Sequence, residues 1–166
     1  LCRKAGISND TTVLLYGDLN NWFACWAYWE FSMYGAKTVK VMNGGRKKWE
    51  LEKRPLDLNV PSYPPGDFKA SNAHPGLRAR LADVLKVVEK KEAGVLVDVR
   101  SPDEHNGKVF APPGIQELSI RAGCIPGAKS VPWSKAVNDD GTFKSADDLR
   151  ALYAAAGVDG KGPVIA

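Results

Sequence analysis

Two loops combine residue types that could do chemistry, and each follows a short apolar run. The first is Tyr16–Ala24 (YGDLNNWFA) and the second is Val97–Glu104 (VDVRSPDE). The second loop has three carboxylates, and two of them, Asp98 and Glu104, are candidates to act with the nearby guanidinium of Arg100. In an open parallel sheet, ligands gather where strands end and loops run into helix N-termini. These two loops are therefore the candidate sites.

Three cysteines offer possible nucleophiles: Cys2, Cys25 and Cys124. Their odd number and wide spacing suggest neither a disulfide framework nor a zinc module, and a reducing, cytoplasmic compartment is the default expectation. Cys124 precedes an Ile-Pro-Gly-Ala turn, where it could act as a nucleophile or, as we favour, simply pack as a small residue. Cys25 is predicted to lie in a core, and Cys2 is uninformative.

The two histidines, His74 and His105, are far apart in sequence and lack ligand partners, so we predict no metal and no cofactor. The 23 basic and 19 acidic residues leave a scattered surplus of +4, and nucleic acid is not an expected partner. The most apolar window, Trp22–Phe31, is much shorter than the ~20 residues that span a bilayer, so no membrane association is expected.

Strands and helices that alternate along the chain must position these loops. Short apolar runs predict five strands, over Thr12–Tyr16, Val39–Met42, Val95–Asp98, Ser130–Val131 and Pro163–Ala166. Periodicity and capping residues predict five helices, over Trp22–Tyr34, after Asn43-Gly44-Gly45, over Leu77–Val88, from a Ser101–Glu104 capping box, and over Ser145–Ala156. This order favours a parallel α/β sheet. The Gly44-Gly45 turn could bind an anion or, as we favour, allow close loop–helix packing.

Five prolines between positions 55 and 75 interrupt this alternation without helical periodicity. Such a stretch is typical of an interdomain linker. The sequence therefore predicts an N-terminal part over 1–54, a linker over 55–76 and a C-terminal part over 77–166.

The two ends of the chain match each other at an offset of 151 residues. Leu1, Ala5, Gly6 and Val13 align with Leu152, Ala156, Gly157 and Val164. Each copy has the pattern of a helix end, an Ala-Gly stop, a short loop and a buried strand. The sequence thus predicts two copies of one domain, with the back of the first copy and the front of the second.

Four motifs together carry a resemblance to a known family. They are VLLYG with NWFA, NGGRKKW, LVDVRSPDE and CIPGA. With them, the chain resembles the central section of a tandem-domain rhodanese, a bacterial-type thiosulfate sulfurtransferase. The resemblance implies two three-layer α/β domains with mostly parallel central sheets, both incomplete in this chain.

In that family, a cysteine at a strand end lies in a cradle of backbone N–H groups, which favours the thiolate. The thiolate takes the outer sulfur of thiosulfate, and the resulting persulfide passes that sulfur to cyanide or another thiophile. Here the strand end at Gly17 and Asp18 has no thiol, as the resemblance implies for the non-catalytic domain. The repeat places the catalytic cysteine just beyond residue 166, so no catalytic residue is expected in this chain.

The resemblance also implies roles for other side chains. An apolar wall between the domains, formed by Trp22, Phe23 and Trp133, would keep water from the persulfide. These three residues could equally serve ordinary interdomain packing, and the two roles are compatible. Asp98 and Arg100 would orient substrate or the catalytic loop, or would form a structural salt bridge beneath the site. Glu104 matches a position that lines the pocket mouth and would orient the catalytic loop, but its part in the capping box is enough to explain a glutamate there.

The expected partners are a small anionic sulfur donor, a thiophilic acceptor and a thioredoxin-like reductant. Two other functions remain open. A 3-mercaptopyruvate sulfurtransferase would differ in the loop that follows the nucleophile. A catalytically silent rhodanese module for binding or regulation would lack a cysteine at that strand end.

Overall fold

The computed structural model describes residues 1–71, 74–114 and 121–166. The chain divides into two compact units. The first contains Leu1–Arg78 together with Asn138–Phe143, and the second contains Ala79–Val137 together with Lys144–Ala166. The division after Arg78 falls close to the predicted end of the linker, whereas residues 138–143 lie in the first unit although in sequence they fall between the two parts of the second. That the units are parts of two rhodanese domains remains a prediction.

Two parallel strands and two helices form the frame of the first unit. The elements are β1 (Thr12–Leu15), α1 (Trp22–Met33), β2 (Thr38–Val41) and α2 (Gly45–Leu51). β1 and β2 pair in parallel with Thr12 opposite Thr38, so both strands end at the same edge. The loops after β1 and β2 therefore meet there, as expected for a strand–helix–strand unit.

Helix α1 is apolar but largely uncovered. Ala24 and Met33 are buried, whereas Phe23 and Trp26 each keep more than half of their surface accessible. Cys25 is also exposed, so the prediction that it lies in a core is wrong. The reason is that almost every position of α1 is apolar, so the sequence does not distinguish the covered face from the open one.

The proline-rich segment has no regular helix or strand over its described residues 55–71, as a linker would. Its second half nevertheless packs on the first unit. Phe68 is buried, and its ring meets Phe31 edge to face at 6.3 Å. The N–H of Phe68 donates to the carbonyl of Ile7, and the Arg3 guanidinium donates to the Phe68 carbonyl at 2.9 Å. This half of the segment is therefore part of the first unit.

The second unit contains a three-stranded parallel sheet in the order β4-β3-β5. Its elements are α3 (Leu81–Val88), β3 (Val95–Asp98), α4 (Pro102–His105), β4 (Lys129–Ser130), α5 (Ala146–Ala155) and β5 (Val164–Ile165). Val97, Val131 and Val158 form its core. The central strand β3 is covered by this core and ends at Asp98, which places the VDVRSPDE loop at the carboxyl edge.

The helix predicted over Leu77–Val88 begins later, at Leu81. Leu77 lies in a 3-10 turn, and its carbonyl accepts a hydrogen bond from the Trp29 indole. The Asp83 carboxylate accepts from the Arg80 N–H at 2.9 Å and so marks the true start. Leu77 therefore belongs to the first unit.

The two matching chain ends have similar local geometry. Gly6 and Gly157 both have positive φ, 75° and 80°, and each ends a helical segment ahead of a strand. Only glycine adopts this conformation without strain, which explains the Ala-Gly stop in both copies. A tandem repeat remains a prediction. Among the described residues, no helix has the length and apolarity needed to cross a membrane.

Candidate functional site

Asp98, at the end of β3, is the centre of the polar contacts in the VDVRSPDE loop. The Arg100 guanidinium donates from Nε to Asp98 Oδ1 at 3.0 Å and from a terminal nitrogen to Oδ2 at 2.8 Å. The same Arg100 also donates to the carbonyl of Gly123 at 2.8 Å. The structure therefore brings together Asp98 and Arg100, and it ties this pair to the segment that carries Cys124.

These contacts keep Asp98 ionised. Burial by itself would raise the pKa of Asp98, but hydrogen bonds from the Arg100 side chain and N–H and from His105 together lower that pKa. Hydrogen bonding to Asp98 in turn raises the pKa of Arg100. A structural salt bridge is thus present; orientation of a substrate by Asp98 or Arg100 remains a prediction.

Glu104 is buried and is held by its capping box. Its Oε2 accepts from the Ser101 N–H at 3.0 Å and from the Ser101 hydroxyl at 2.7 Å. The Ser101 oxygen accepts from the Glu104 N–H in return, so the box predicted from the sequence is confirmed. With its carboxylate used in this way, Glu104 serves to start α4.

His105, the last residue of α4, has two partners that the sequence analysis missed. Its Nδ1 lies 3.1 Å from Asp98 Oδ2, and its Nε2 lies 3.7 Å from the sulfur of Cys124. The prediction that His105 lacks ligand partners concerned a metal site only, and the sequence does not indicate these two contacts. The reason is that α4 is a single turn, which returns the His105 side chain to the end of β3, and nothing local in the sequence shows that Cys124 comes back to the same place.

Cys124 is exposed, which corrects the interpretation of this residue as a small packed side chain. The turns at Gly107 and Gly123 hold it near His105. Both glycines have positive φ, and a Cβ on Gly107 would lie 3.2 Å from the backbone nitrogen of Gly123. The two backbones approach so closely only because side chains are absent there.

In the first unit, the loop with Gly17 and Asp18 is fixed by Asn21, which is fully buried. Asn21 Oδ1 accepts from the Gly17 N–H at 3.0 Å, and its amide nitrogen donates to the Met42 carbonyl at 2.7 Å. This one side chain joins the ends of β1 and β2. A Cβ on Gly45 would lie 2.6 Å from the Gly17 carbonyl oxygen, which supports the interpretation of that glycine turn as loop–helix packing.

Asp18 is exposed, and the Arg46 guanidinium lies 3.9 Å from it. Asn21 is a structural residue that the sequence pattern does not indicate, although asparagine tolerates a left-handed backbone better than most residue types. Leu19, Asn20 and Asn21 in succession adopt positive φ. Gly17 and Asp18 thus lie in a tightly built turn, and their role as a non-catalytic counterpart of the active loop remains a prediction.

The predicted wall residues fall in different units. The rings of Trp22 and Phe23 stack in the first unit with centroids 5.4 Å apart. Trp133 begins a 3-10 turn of the second unit, where its N–H donates to the Val99 carbonyl at 2.9 Å. A wall formed jointly by these residues remains a prediction.

Among the described residues, no group of three or more His, Cys, Asp or Glu side chains is arranged to hold a metal ion. The contacts around His105 instead form a chain of carboxylate, imidazole and thiol. Such a series can move a proton from a thiol to an imidazole that a carboxylate orients. The described part of the second unit therefore contains the elements of an activated nucleophile.

Several known proteins that are similar to this chain in sequence have names that refer to sulfur transfer or sulfur carriage. A Thermus thermophilus protein named sulfur carrier protein TtuD is 55% identical over 161 residues, which cover 95% of this chain and 56% of that protein. A Haloferax volcanii protein that has thiosulfate sulfurtransferase as its provisional name is 50% identical over the whole chain and 57% of its own length. The chain thus spans little more than half the length of these relatives. No model of a protein family matches it.

Among solved structures, SseA from Escherichia coli is similar with a TM-score of 0.83 and 28% identity, over 98% of this chain and 58% of that one. Its description names the rhodanese fold and 3-mercaptopyruvate sulfurtransferases. The parallel sheets with helices seen here agree with that fold. The chain therefore has a rhodanese-like α/β fold, and it is similar over almost its whole length to proteins named for sulfur transfer or sulfur carriage.

Proposed function

We propose that the intact protein containing this chain is a thiosulfate sulfurtransferase. It would move sulfane sulfur from thiosulfate to cyanide or another thiophile through a cysteine persulfide. The observation that carries the proposal is identity of 50 to 55% over 95 to 100% of this chain with relatives named for sulfur transfer or sulfur carriage. Its substrates would be a small anionic sulfur donor and a thiophilic acceptor, with a thioredoxin-like protein as reductant.

The structure supports a framework role for the described strand-end loops. Asp98 and Arg100 form a bidentate pair at the end of the central strand β3, adjacent in the sheet to β5. In a parallel sheet the loop after β5 would open at the same edge as this pair. We place the nucleophilic cysteine of the intact protein in that following loop, as the sequence analysis predicts.

A second donor is favoured by one specific observation, the similarity to SseA, which is described with the 3-mercaptopyruvate sulfurtransferases. The two donors differ in chemistry, since thiosulfate releases sulfite and 3-mercaptopyruvate releases pyruvate. The same protein preparation can be given each donor in turn.

The test is to incubate the intact protein with thiosulfate and cyanide and to measure thiocyanate, with 3-mercaptopyruvate as the alternative donor. We expect turnover with thiosulfate to exceed turnover with 3-mercaptopyruvate. Absence of thiocyanate with either donor would overturn the proposal and favour a silent binding module. Turnover that Cys124→Ser abolishes would instead place the main nucleophile within this chain.

A further inference from the structure

The proposed function uses Asp98 only in its pair with Arg100 and leaves the rest of the Asp98–His105–Cys124 series described above without a role. Its two outer residues are separated from His105 by 7 and 19 positions, so the tertiary fold, not local sequence, assembles it. The side chains of Asp98 and His105 are only 8% and 17% exposed, whereas Cys124 is open to solvent. A buried pair thus supports an accessible thiol.

The direction of the hydrogen bonds defines what His105 can do. The ionised Asp98 can only accept, so the Nδ1 atom of His105 carries the proton at their 3.1 Å contact. In the neutral imidazole, Nε2 then has a free electron pair, and this is the atom 3.7 Å from the Cys124 sulfur. His105 is accordingly placed to accept the thiol proton.

The geometry is held by the backbone as well as by side chains. Arg100 binds Asp98 and the carbonyl of Gly123, the residue before Cys124. The close approach of Gly107 to Gly123 holds the end of α4 against the same segment. Among the described residues, Asp98 contacts His105 and joins it to Arg100, and the neighbouring Glu104 is already bound by Ser101. Arg100 therefore supplies positive charge on the side of the thiol.

We propose that Cys124 is a second sulfur-accepting thiol, activated by His105 and Asp98, that takes sulfane sulfur from an anionic donor of the thiosulfate class. The Cys124 proton passes to His105 Nε2, and the thiolate forms a bond to the outer sulfur of thiosulfate. The sulfur–sulfur bond of thiosulfate breaks, and its electron pair leaves with sulfite. Cys124 becomes a persulfide, and no external oxidant or reductant is needed.

This inference shares the donor with the proposed function but depends only on residues of the second unit. The test treats the intact protein with thiosulfate, blocks thiols with iodoacetamide, digests the protein and measures by mass spectrometry the fraction of each cysteine peptide that has gained one sulfur atom. We expect the gain at Cys124 and not at Cys25, because Cys25, although its side chain reaches solvent, is desolvated enough by its surroundings to raise the pKa of its thiol, whereas Cys124 lies beside His105. This comparison within the wild-type protein depends on no variant.

His105→Gln keeps a polar side chain of similar size but cannot accept the proton, so we expect sulfur loading of Cys124 to slow by about a hundredfold. Asp98→Asn should slow it by a smaller factor, since the tautomer of His105 is no longer fixed. Equal loading of Cys124 and Cys25, or an unchanged rate in His105→Gln, overturns the inference. Thiocyanate production, followed in parallel, separates the outcomes: its absence contradicts only the proposed function.

Discussion

At the scale of single residues, Asp98 determines the electrostatics of the second unit's loop. One carboxylate binds the Arg100 guanidinium with both oxygens and also meets His105. The four hydrogen bonds to this carboxylate outweigh the cost of its burial, so it is more stable ionised than protonated. Its contribution to folding therefore depends on pH in a direction that can be worked out.

Replacement of Asp98 by Asn should lower the free energy of unfolding at pH 7 by about 2 kcal/mol, since charged hydrogen bonds are lost and Arg100 stays partly hydrated. Because folding lowers the pKa of Asp98, its contribution is present above the ordinary value of 3.8 and is lost as the pH falls through the lowered pKa. Urea titrations at pH 7 and pH 3 should show the wild type and Asp98→Asn converging in acid. Asp103→Asn, in an exposed pair with Lys108, is the control and should change little. A constant difference at both pH values would contradict this account.

A capping serine occurs twice in the second unit, in two different environments. Ser101 serves the buried Glu104, and Ser145 serves the exposed Asp148 with the same pair of hydrogen bonds. We expect Ser101→Ala to cost about 2 kcal/mol of unfolding free energy and Ser145→Ala about 1 kcal/mol or less. The difference reflects the buried carboxylate that Ser101→Ala leaves with one partner fewer. Denaturant unfolding of the two variants measures both values, and equal costs would mean that burial of Glu104 is unimportant.

At the scale of elements, apolar runs and capping residues were sufficient to predict β1, β2, β3 and α5 to within a residue or two. These signals are local, so they appear in the sequence. Contacts that join distant segments have no such signal, and the meeting of His105 with Cys124 was missed for that reason. The same holds for Asn21, whose burial depends on Met42 at the end of the neighbouring strand.

The meeting of the loops after β1 and β2 requires a glycine at position 45. Gly45 has φ of 54°, and an added Cβ would meet the Gly17 carbonyl oxygen and the Asn21 amide. Gly45→Ala should therefore lower the free energy of unfolding by about 2 kcal/mol or more through overpacking and backbone strain. Gly160→Ala is a matched control, because Gly160 also has positive φ but, in the part of the chain that the structure describes, no neighbour within 4 Å of an added Cβ. If the two variants are equally destabilised in urea, the close approach is not what selects glycine.

At the scale of the whole molecule, sequence order and compact units do not coincide. Asn138–Phe143 follow most of the second unit along the chain but pack in the first. The Phe143 N–H donates to Asn43 Oδ1 at 2.8 Å, and Lys48 reaches Asp140 at 2.9 Å. A linear division into domains could not anticipate this, because turn residues such as Asp140-Gly141 show that the chain reverses but not what it packs against.

This packing predicts that a change at Gly141 loosens the start of α2, which is about a hundred residues earlier in the chain. Gly141 has φ of 84°, and a Cβ there would lie 3.0 Å from the Gly44 carbonyl oxygen. That carbonyl accepts from the Lys48 N–H in the first turn of α2. Gly141→Ala should therefore speed hydrogen exchange of the Lys48 and Phe143 amides by about tenfold, which corresponds to about 1.4 kcal/mol.

Gly114→Ala separates the contact from backbone strain, because Gly114 has the same φ of 84° and no atom of the described residues lies within 4 Å of its added Cβ. Exchange at Lys48 and Phe143 should stay at the wild-type rate in Gly114→Ala. If Gly141→Ala gives the same exchange pattern as this control, the segment 138–143 does not stabilise the first unit. If only the Gly141 variant speeds hydrogen exchange at both amides, residues 138–143 stabilise the glycine turn of the first unit. Cutting this chain at its linker would then remove one of the contacts that hold that turn.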